Sequence, residues 1–172
     1  MAAWRPARPC DAGEIGRLSR ALVSAFPERD EVFAERVRLS PEGCHVLADG
    51  TEVVGYMISH PWRRFDPPTL DALVGALPVD VDCWLIHDLA VAPRARGAAH
   101  AAAMLQRVAE LARAGGFAVL ALVAVGDAQP YWRRQGFEVV ETDELRAKLA
   151  AYGEAAAYME RRTAPPAGGA RA

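Results

Sequence analysis

Residues 89–101 read Leu-Ala-Val-Ala-Pro-Arg-Ala-Arg-Gly-Ala-Ala-His-Ala: an apolar run, a proline turn, and small residues that can begin a helix. A strand that passes through such a turn into a helix leaves unpaired backbone N–H groups at the carboxyl edge of its sheet. The positive end of the helix dipole and the guanidinium groups of Arg94 and Arg96 lie at the same place. The turn therefore predicts an anion site suited to a pyrophosphate, with an ordinary turn and solvated arginines as the alternative.

The sequence on both sides of this turn predicts a strand–helix–strand unit. Residues 83–91 have strand character, and the helix after the turn carries apolar side chains on one face: Met104, Leu105, Val108, Leu111 and Ala112. Residues 117–125 are continuously apolar, as expected of a strand that is covered on both faces. A strand, a helix and a strand in this order predict a right-handed parallel crossover.

The N-terminal half predicts two helices followed by a hairpin. Its elements are a strand over 4–8, a helix after a capping box at Asp11 and Glu14, a helix over 28–39, and strands over 44–48 and 52–60. Asp49 and Gly50 join the last two strands, and this dipeptide favours a tight hairpin turn.

The rest of the chain combines a long excursion with a group of short elements. Residues 61–80 are rich in proline and predict a loop with one short helix over 70–77. Beyond residue 125 the patterns predict helices over 128–135 and 143–151 and strands over 137–141 and 155–161. Residues 163–172, rich in Pro, Gly and Ala, predict a flexible C-terminal tail after a single domain over 1–162.

Size and composition exclude several classes of protein. The chain has 172 residues, 52% hydrophobic and 24% charged, with a mean hydropathy of 0.00, as is typical of one globular domain and not of a disordered or collagen-like chain. A formal net charge of −2 gives no electrostatic footprint for nonspecific nucleic-acid binding. Lys148 is the only lysine among 20 basic residues, a bias typical of a GC-rich, bacterial genome.

Nothing in the sequence indicates export, a membrane span or a metal site. The first 13 residues lack the apolar run of a signal peptide, and the longest apolar stretch, 115–126, is too short to cross a bilayer. Cys10, Cys44 and Cys83 are odd in number and widely spaced, which indicates neither a disulfide framework nor a zinc site. We therefore expect a cytoplasmic protein with no metal, no nucleic-acid partner and no membrane partner.

With these elements in place, the chain resembles the GNAT family of N-acetyltransferases. The family signature, Arg or Gln, two residues, Gly, one residue, then Gly or Ala, corresponds to Arg96, Ala99 and Ala101. Ala99 stands where the family usually has Gly, and we expect it in the first helical turn, where it still offers its N–H. A Gly-Phe pair after a short aromatic helix, at residues 136–137, is the second landmark.

The resemblance covers about residues 5–161 and implies an α/β (α+β) fold. That fold has a mixed, mostly antiparallel sheet of six to seven strands, a central splayed parallel pair and about four flanking helices.

The resemblance also implies acetyl-CoA as co-substrate, with its pantetheine arm between splayed strands 84–91 and 117–125. Backbone groups of Leu89 and Val91 are implied to bind the arm, and the helix start to hold the pyrophosphate. Arg94 is expected either to contact another phosphate or to face water. The full set of implied cofactor-binding residues is Leu89, Val91, Arg94, Arg96, Gly97, Ala98, Ala99, His100, Ala101 and Trp132.

Acetyl transfer to an amine needs a group that accepts a proton, and a donor for the leaving thiolate helps. His87 and Asp88 are predicted on opposite faces of the first splayed strand, because strand side chains alternate. His87 occupies the place where the related arylalkylamine acetyltransferases carry a catalytic histidine; a core histidine with one hydrogen-bonded nitrogen fits equally well. Asp88 is expected to bind a backbone group or the ammonium of the acceptor.

The proton donor departs from the family pattern. Trp132 occupies the usual tyrosine position, four residues before the glycine of the Gly-Phe pair, and its indole N–H cannot usefully give up a proton. Trp132 is therefore expected to pack behind the cofactor. Tyr131 is adjacent but lies about 100° around a helix. The donor is Tyr131, Tyr158 or water, and the candidate catalytic residues are His87, Asp88 and Tyr131.

The implied function is an acetyl-CoA-dependent N-acetyltransferase that acts directly on a primary amine of a small molecule or peptide. The alternative is a non-catalytic acyl-CoA-binding regulatory module; a nucleotide-binding protein is disfavoured because GxGxxG and a P-loop lysine are missing. Glu28, Asp30, Glu31 and Glu35 form an acidic cluster typical of a solvated face, although it could attract a cationic amine. Oligomeric state stays open, including a homodimer through the last strands.

Overall fold

A computed structural model of the chain describes residues 1–97 and 99–163. Within these ranges the chain forms seven strands: β1 (Ala3–Pro6), β2 (His45–Asp49), β3 (Glu52–Trp62), β4 (Cys83–Val91), β5 (Val119–Ala124), β6 (Glu138–Val139) and β7 (Ala157–Arg162). The same ranges contain five α-helices, one more than the resemblance implies: α1 (Ala12–Leu22), α2 (Asp30–Leu39), α3 (His100–Ala114), α4 (Gln129–Arg134) and α5 (Asp143–Leu149).

The strands form one mixed sheet in the order β1-β2-β3-β4-β5-β7-β6. All neighbours are antiparallel except β4 and β5, which run parallel. The predicted fold class is therefore confirmed, including the parallel crossover through α3. The flexible tail predicted over 163–172 falls, from residue 164 onward, outside the described residues.

The sheet has helices on both faces because its strands carry apolar side chains on both sides. Buried side chains of α1 and α2, among them Ile15 and Phe33, pack with Tyr56 and Ile58 of β3. On the opposite face, Met104, Leu105 and Val108 of α3 pack with β4 and β5. No helix in the described part of the chain is long and apolar enough to cross a membrane.

The central parallel pair separates in the middle of the sheet. Pairing between β4 and β5 runs from Trp84 opposite Leu120 to Ile86 opposite Leu122, whereas β4 itself continues to Val91. Beyond Ile86, the edge of β4 that faces β5 consequently has no strand partner among the described residues. The predicted splay is confirmed, and it opens a gap at the carboxyl end of both strands.

A β-bulge in β4 coincides with the start of this gap. Ile58 of β3 lies opposite Asp88 and Ser59 lies opposite Ile86, so His87 is an extra residue without a partner. Bulges redirect side chains and break the alternation of faces. The prediction that His87 and Asp88 lie on opposite faces is therefore wrong: each contacts a side chain on the same face of β3, His60 and Tyr56 respectively.

The segment between β3 and β4 contains no helix, so the helix predicted over 70–77 is wrong. Glu35 of α2 accepts hydrogen bonds from the backbone N–H groups of Val74 and Gly75, at 2.8 and 2.9 Å. These external bonds satisfy groups that a helix would pair internally, and Gly75 adopts a left-handed φ of 73° that interrupts helical geometry.

The start of α1 also differs from the predicted capping box. Asp11 accepts a hydrogen bond from the backbone N–H of Arg8 and binds the guanidinium of Arg5. These partners replace the predicted capping box with Glu14. Asp11 thereby closes a short 3-10 turn over Pro9–Asp11 that precedes the helix.

Candidate functional site

A cleft of about 660 Å³ lies where the carboxyl end of β4 passes into α3. Its lining includes side chains from α1, α4 and the turn between β4 and α3. Seven residues of the implied cofactor set line it: Leu89, Val91, Arg96, Gly97, Ala99, His100 and Ala101. Ala98 lies outside the described residues, Trp132 lines a neighbouring cavity, and Arg94 lines neither.

The turn into α3 exposes backbone donors to this cleft. Ala99 is the N-cap of α3, outside the helix, with φ 57° and ψ 14° in the left-handed region. The expectation that Ala99 lies in the first helical turn is thus wrong, and the family's preference for glycine here has a physical reason. The first N–H groups of an α-helix have no intrahelical partner, so the start of α3 is a position suited to an anion.

The two arginines of the turn have different surroundings. Arg96 lines the cleft and donates from Nε to the carbonyl of Val91 at 3.0 Å. Arg94 turns away, toward the hairpin between β2 and β3, where its Nη2 lies 2.6 Å from Oε1 of Glu52. Only Arg96 therefore offers its charge directly to an anion in the cleft.

The bulge residue His87 forms a buried pair with Glu28. Its Nε2 lies 2.8 Å from Oε2 of Glu28, and the two side chains are 8% and 6% exposed. Glu28 comes from the loop between α1 and α2, and its Oε1 accepts from the backbone N–H of Asp71 at 3.1 Å. Burial by itself raises the pKa of Glu28, but the interaction with His87, the hydrogen bond from the backbone of Asp71 and the charge of Arg36 together outweigh burial and lower this pKa.

The acidic cluster is not the solvated face expected of it. Glu28 and Glu35 are both buried, with Glu28 bound to His87 and Glu35 bound to Arg36 and to the segment before β4. Asp30 pairs with Arg20 at 2.8 Å, and Glu31 alone is exposed without such a partner among the described residues. Buried carboxylates require partners, and both buried glutamates have them.

Asp88 is bound to the core through Tyr56. The phenol of Tyr56 donates to Oδ2 of Asp88 at 2.7 Å. Burial raises the pKa of Asp88, although the hydrogen bond from Tyr56 opposes that rise. The carboxyl of Asp88 therefore lies beside His87 with a fixed partner of its own.

Tyr131 is one of the residues that line the cleft. Its Oη is buried and has no hydrogen-bond partner among the described residues, and burial raises its pKa. Trp132 is 8% exposed and packs edge-on against Phe137 at 5.4 Å. The hydroxyl of Tyr158 accepts from the backbone N–H of Phe65 and donates to a carboxylate, Oε1 of Glu160. Tyr131 is thus the one of the two tyrosines with an unengaged hydroxyl at the site.

A second, smaller pocket adjoins the cleft. It has a volume of about 80 Å³, and its floor is formed by Glu28, His87 and Asp88. A cavity of about 200 Å³ that shares His87 and Asp88 with the pocket, and Leu89 with the cleft, connects the two. His87 therefore lies between two spaces that could hold two different reactants. In residues 1–97 and 99–163, no group of His, Cys, Asp or Glu is arranged to hold a metal ion.

Sequence reasoning missed Glu28 as a partner of His87, and it missed Tyr152, which lines the small pocket. Glu28 lies in the loop between α1 and α2, Tyr152 ends a short 3-10 helix after α5, and each is more than 50 residues from His87 in the chain. No periodicity links such positions, so the one usable signal was the acidic composition of the region near residue 30.

Comparisons with known proteins agree with this geometry. The sequence model of the acetyltransferase (GNAT) family matches residues 16–137, whereas a search of curated proteins finds no match. Among solved structures, Ard1 from Thermoplasma volcanium is similar with a TM-score of 0.70 and 16% identity, over 95% of this chain and 99% of that one.

Two further similar structures contain CoA derivatives. GphF, a GNAT-like decarboxylase in complex with isobutyryl-CoA, has a TM-score of 0.72 and 18% identity, over 94% of this chain and 100% of that one. Naa50 from Arabidopsis thaliana, in complex with the bisubstrate analogue CoA-Ac-MVNAL, has a TM-score of 0.67 and 12% identity, over 93% of this chain and 97% of that one. At such identities these likenesses show the fold alone. The family match spans the N-terminal helices, the central strands and the turn between β4 and α3, and the chain accordingly belongs to the acetyltransferase (GNAT) family.

Proposed function

We propose that this protein transfers an acetyl group from acetyl-CoA directly to the nitrogen of a primary amine. The observation that carries the proposal is the buried His87–Glu28 pair, located where β4 and β5 separate and between the cleft and the small pocket. A proton acceptor at this junction is what transfer between two separately bound reactants requires.

The residues that line the cleft fit acetyl-CoA as the donor substrate. The free N–H groups at the start of α3 and the charge of Arg96 suit a pyrophosphate. Beyond Ile86, the edge of β4 is unpaired, so its backbone N–H and C=O groups can bind the amide groups of a pantetheine arm. Leu89 and Val91 lie in this segment and line the cleft. Trp132 packs behind this space and needs no chemical role.

His87 is the proposed proton acceptor, and Glu28 is its positioning residue. Because the lowered pKa keeps Glu28 ionised, Nε2 of His87 carries the hydrogen that it donates to that carboxylate. The lone pair of the imidazole is then on Nδ1. The acceptor nitrogen attacks the thioester carbonyl carbon, the C–N bond forms as the C–S bond breaks, and the proton of the amine passes to Nδ1.

Tyr131 is the proposed donor of a proton to the departing thiolate, since this residue lines the cleft and its buried hydroxyl has no hydrogen-bond partner among the described residues. The cysteines do not favour an acyl-enzyme route. Burial raises the pKa of both Cys44 and Cys83 to about 12, so neither supplies a thiolate near neutral pH.

The test measures CoA release from acetyl-CoA in the presence of a panel of primary amines, together with acetyl-CoA affinity by calorimetry. His87→Gln should lower kcat about 100-fold and leave acetyl-CoA affinity within about threefold, because a general base contributes to the chemical step alone. Glu28→Gln should lower kcat and displace the acid limb of the pH–rate profile, whereas Glu31→Gln on the exposed face of α2 serves as the matched control. Acetyl-CoA binding without turnover on any amine would favour the regulatory acyl-CoA-binding module instead.

A further inference from the structure

The small pocket above His87 has the chemistry of a compact apolar site with negative charge at its floor. Its walls are formed by Val23, Phe26, Pro67, Pro68, Leu70 and Leu85. Resting on the proposed function, we propose that the acceptor is a small primary amine with an apolar substituent and no carboxylate, and that amino acids and peptide N-termini are rejected.

The volume of the pocket limits the size of the acceptor. A benzene-sized group of six heavy atoms occupies a cavity of roughly 150 Å³, so about 80 Å³ holds an apolar group of on the order of three or four heavy atoms. A branched alkylamine of five carbons fits when its isobutyl end occupies this pocket and its nitrogen lies in the connecting cavity of about 200 Å³. An acceptor with further residues attached to its α-carbon does not.

The charges around the pocket select for a cation and against an anion. Glu28 is ionised, and Asp88 adds a carboxyl whose pKa burial raises. Apart from His87, which is hydrogen-bonded to Glu28, no basic side chain is among the described residues that line the pocket. An ammonium group is therefore attracted to the floor. The carboxylate of an amino acid would be desolvated against apolar walls, near a like charge and without a counter-ion, which is strongly unfavourable.

Hydrogen bonds hold the walls of the pocket together around this volume. Tyr152, just after α5, donates its hydroxyl to the carbonyl of Pro68, and Lys148 lies 2.6 Å from Oδ1 of Asp66. Glu28 accepts from Asp71 N on the other side. The three segments that form the pocket are therefore tied to one another.

The experiment compares acceptors that share one apolar group. We expect kcat/KM for 3-methylbutylamine to exceed that for leucine, which differs by its carboxylate, by about 100-fold, because the added anion is buried without a partner. Leucinamide has a neutral amide in place of the carboxylate of leucine, and its kcat/KM should lie between those of 3-methylbutylamine and leucine. A leucyl dipeptide amide should be as poor as leucine, and 1,4-diaminobutane should be at least about tenfold poorer than 3-methylbutylamine, since its second ammonium meets apolar walls.

A variant tests the charge argument independently of pocket size. Leu70→Arg places a cation on the wall and should increase the ratio of leucine to 3-methylbutylamine turnover at least about tenfold. Leu73→Arg is the matched control in the same loop, because Leu73 is 54% exposed and does not line the pocket. Calorimetric binding of leucine to the CoA-saturated Leu70→Arg protein gives a second readout that does not depend on turnover.

The outcomes separate this inference from the proposed function. Acetylation of leucine or of the dipeptide amide at rates equal to 3-methylbutylamine overturns the substrate class and leaves the transferase standing. Bound acetyl-CoA with no acetylation of any acceptor overturns the proposed function and this inference with it.

Discussion

Replacing Ala99 with glycine should stabilise the protein, although such a change destabilises most helical positions. Ala99 is the N-cap of α3 and has φ 57°, a left-handed conformation that costs an alanine roughly 1–2 kcal/mol. Glycine adopts that conformation freely but loses more backbone entropy on folding, by roughly 0.5–1 kcal/mol. Because Ala99 is exposed, its methyl group contributes little packing that the change would remove. The net expectation is a gain of about 0.5–1 kcal/mol.

The measurement is urea or thermal unfolding of the free protein, where about 1 kcal/mol corresponds to roughly 2–4 °C at this size. Ala103→Gly is the matched control, because Ala103 is exposed within α3 and the substitution removes the same atoms. That control should lose about 1 kcal/mol, since glycine is unfavourable in a helix interior. Acetyl-CoA affinity should stay within about threefold in both variants.

The difference between the two variants isolates backbone conformation, because their compositions are identical. Equal losses of stability at positions 99 and 103 would refute the reasoning, since they would show that residue 99 carries no left-handed strain. Gly97→Ala gives the converse check, as Gly97 has φ 86° with open space around it, and alanine there should be destabilising by about 1 kcal/mol or more.

Arg96→Glu should weaken acetyl-CoA binding by about 30-fold in calorimetry, whereas Arg94→Glu should change it less than about threefold, because only Arg96 lines the cleft. Equal effects of the two reversals would contradict this assignment. Burial lowers the pKa of His60 to about 3, so the imidazole is neutral in the folded protein. The stability that depends on this neutral state is complete above pH 6.5 and is lost as the pH falls toward 3. At pH 5 this loss is about 2 kcal/mol, and His60→Phe should show a smaller fall in unfolding free energy between pH 7 and 5; an unchanged fall would count against a neutral buried imidazole. Glu35→Ala removes the carboxylate that pairs with the buried guanidinium of Arg36 and that binds the segment before β4. The change should lower the unfolding free energy by about 3–5 kcal/mol, whereas Glu31→Ala, at an exposed position, should lower it by less than about 0.5 kcal/mol.

The elements that local patterns predicted best are those buried in the sheet. The strand predicted over 83–91 coincides with β4, and the continuous apolar run over 117–125 contains β5. A strand that is covered on both faces needs apolar residues at every position, so its sequence shows it directly. The hairpin is also confirmed, although its two-residue turn is Gly50 and Thr51, one residue later than predicted, because Asp49 still pairs with Glu52. Gly50 has a φ of 61°, which a tight hairpin turn favours.

The elements that local patterns predicted wrongly depend on partners far away in the chain. The helix expected over 70–77 is absent because Glu35, on α2, takes the backbone N–H groups of Val74 and Gly75. The bulge at His87 arises from the register between β3 and β4, which no pattern within β4 contains. Both errors follow from hydrogen bonds that form only after the chain has folded.

The sequence by itself determined the sheet, the crossover and the turn from β4 into α3, since burial and turn geometry impose residue types at fixed local spacings. It also identified His87 as a candidate, through resemblance to a family. Only the tertiary structure decided what His87 can do, because its partner Glu28 is 59 residues away and lies in a loop. Proton transfer depends on distance, burial and charge between such partners, and these quantities exist only when distant segments meet in the folded chain.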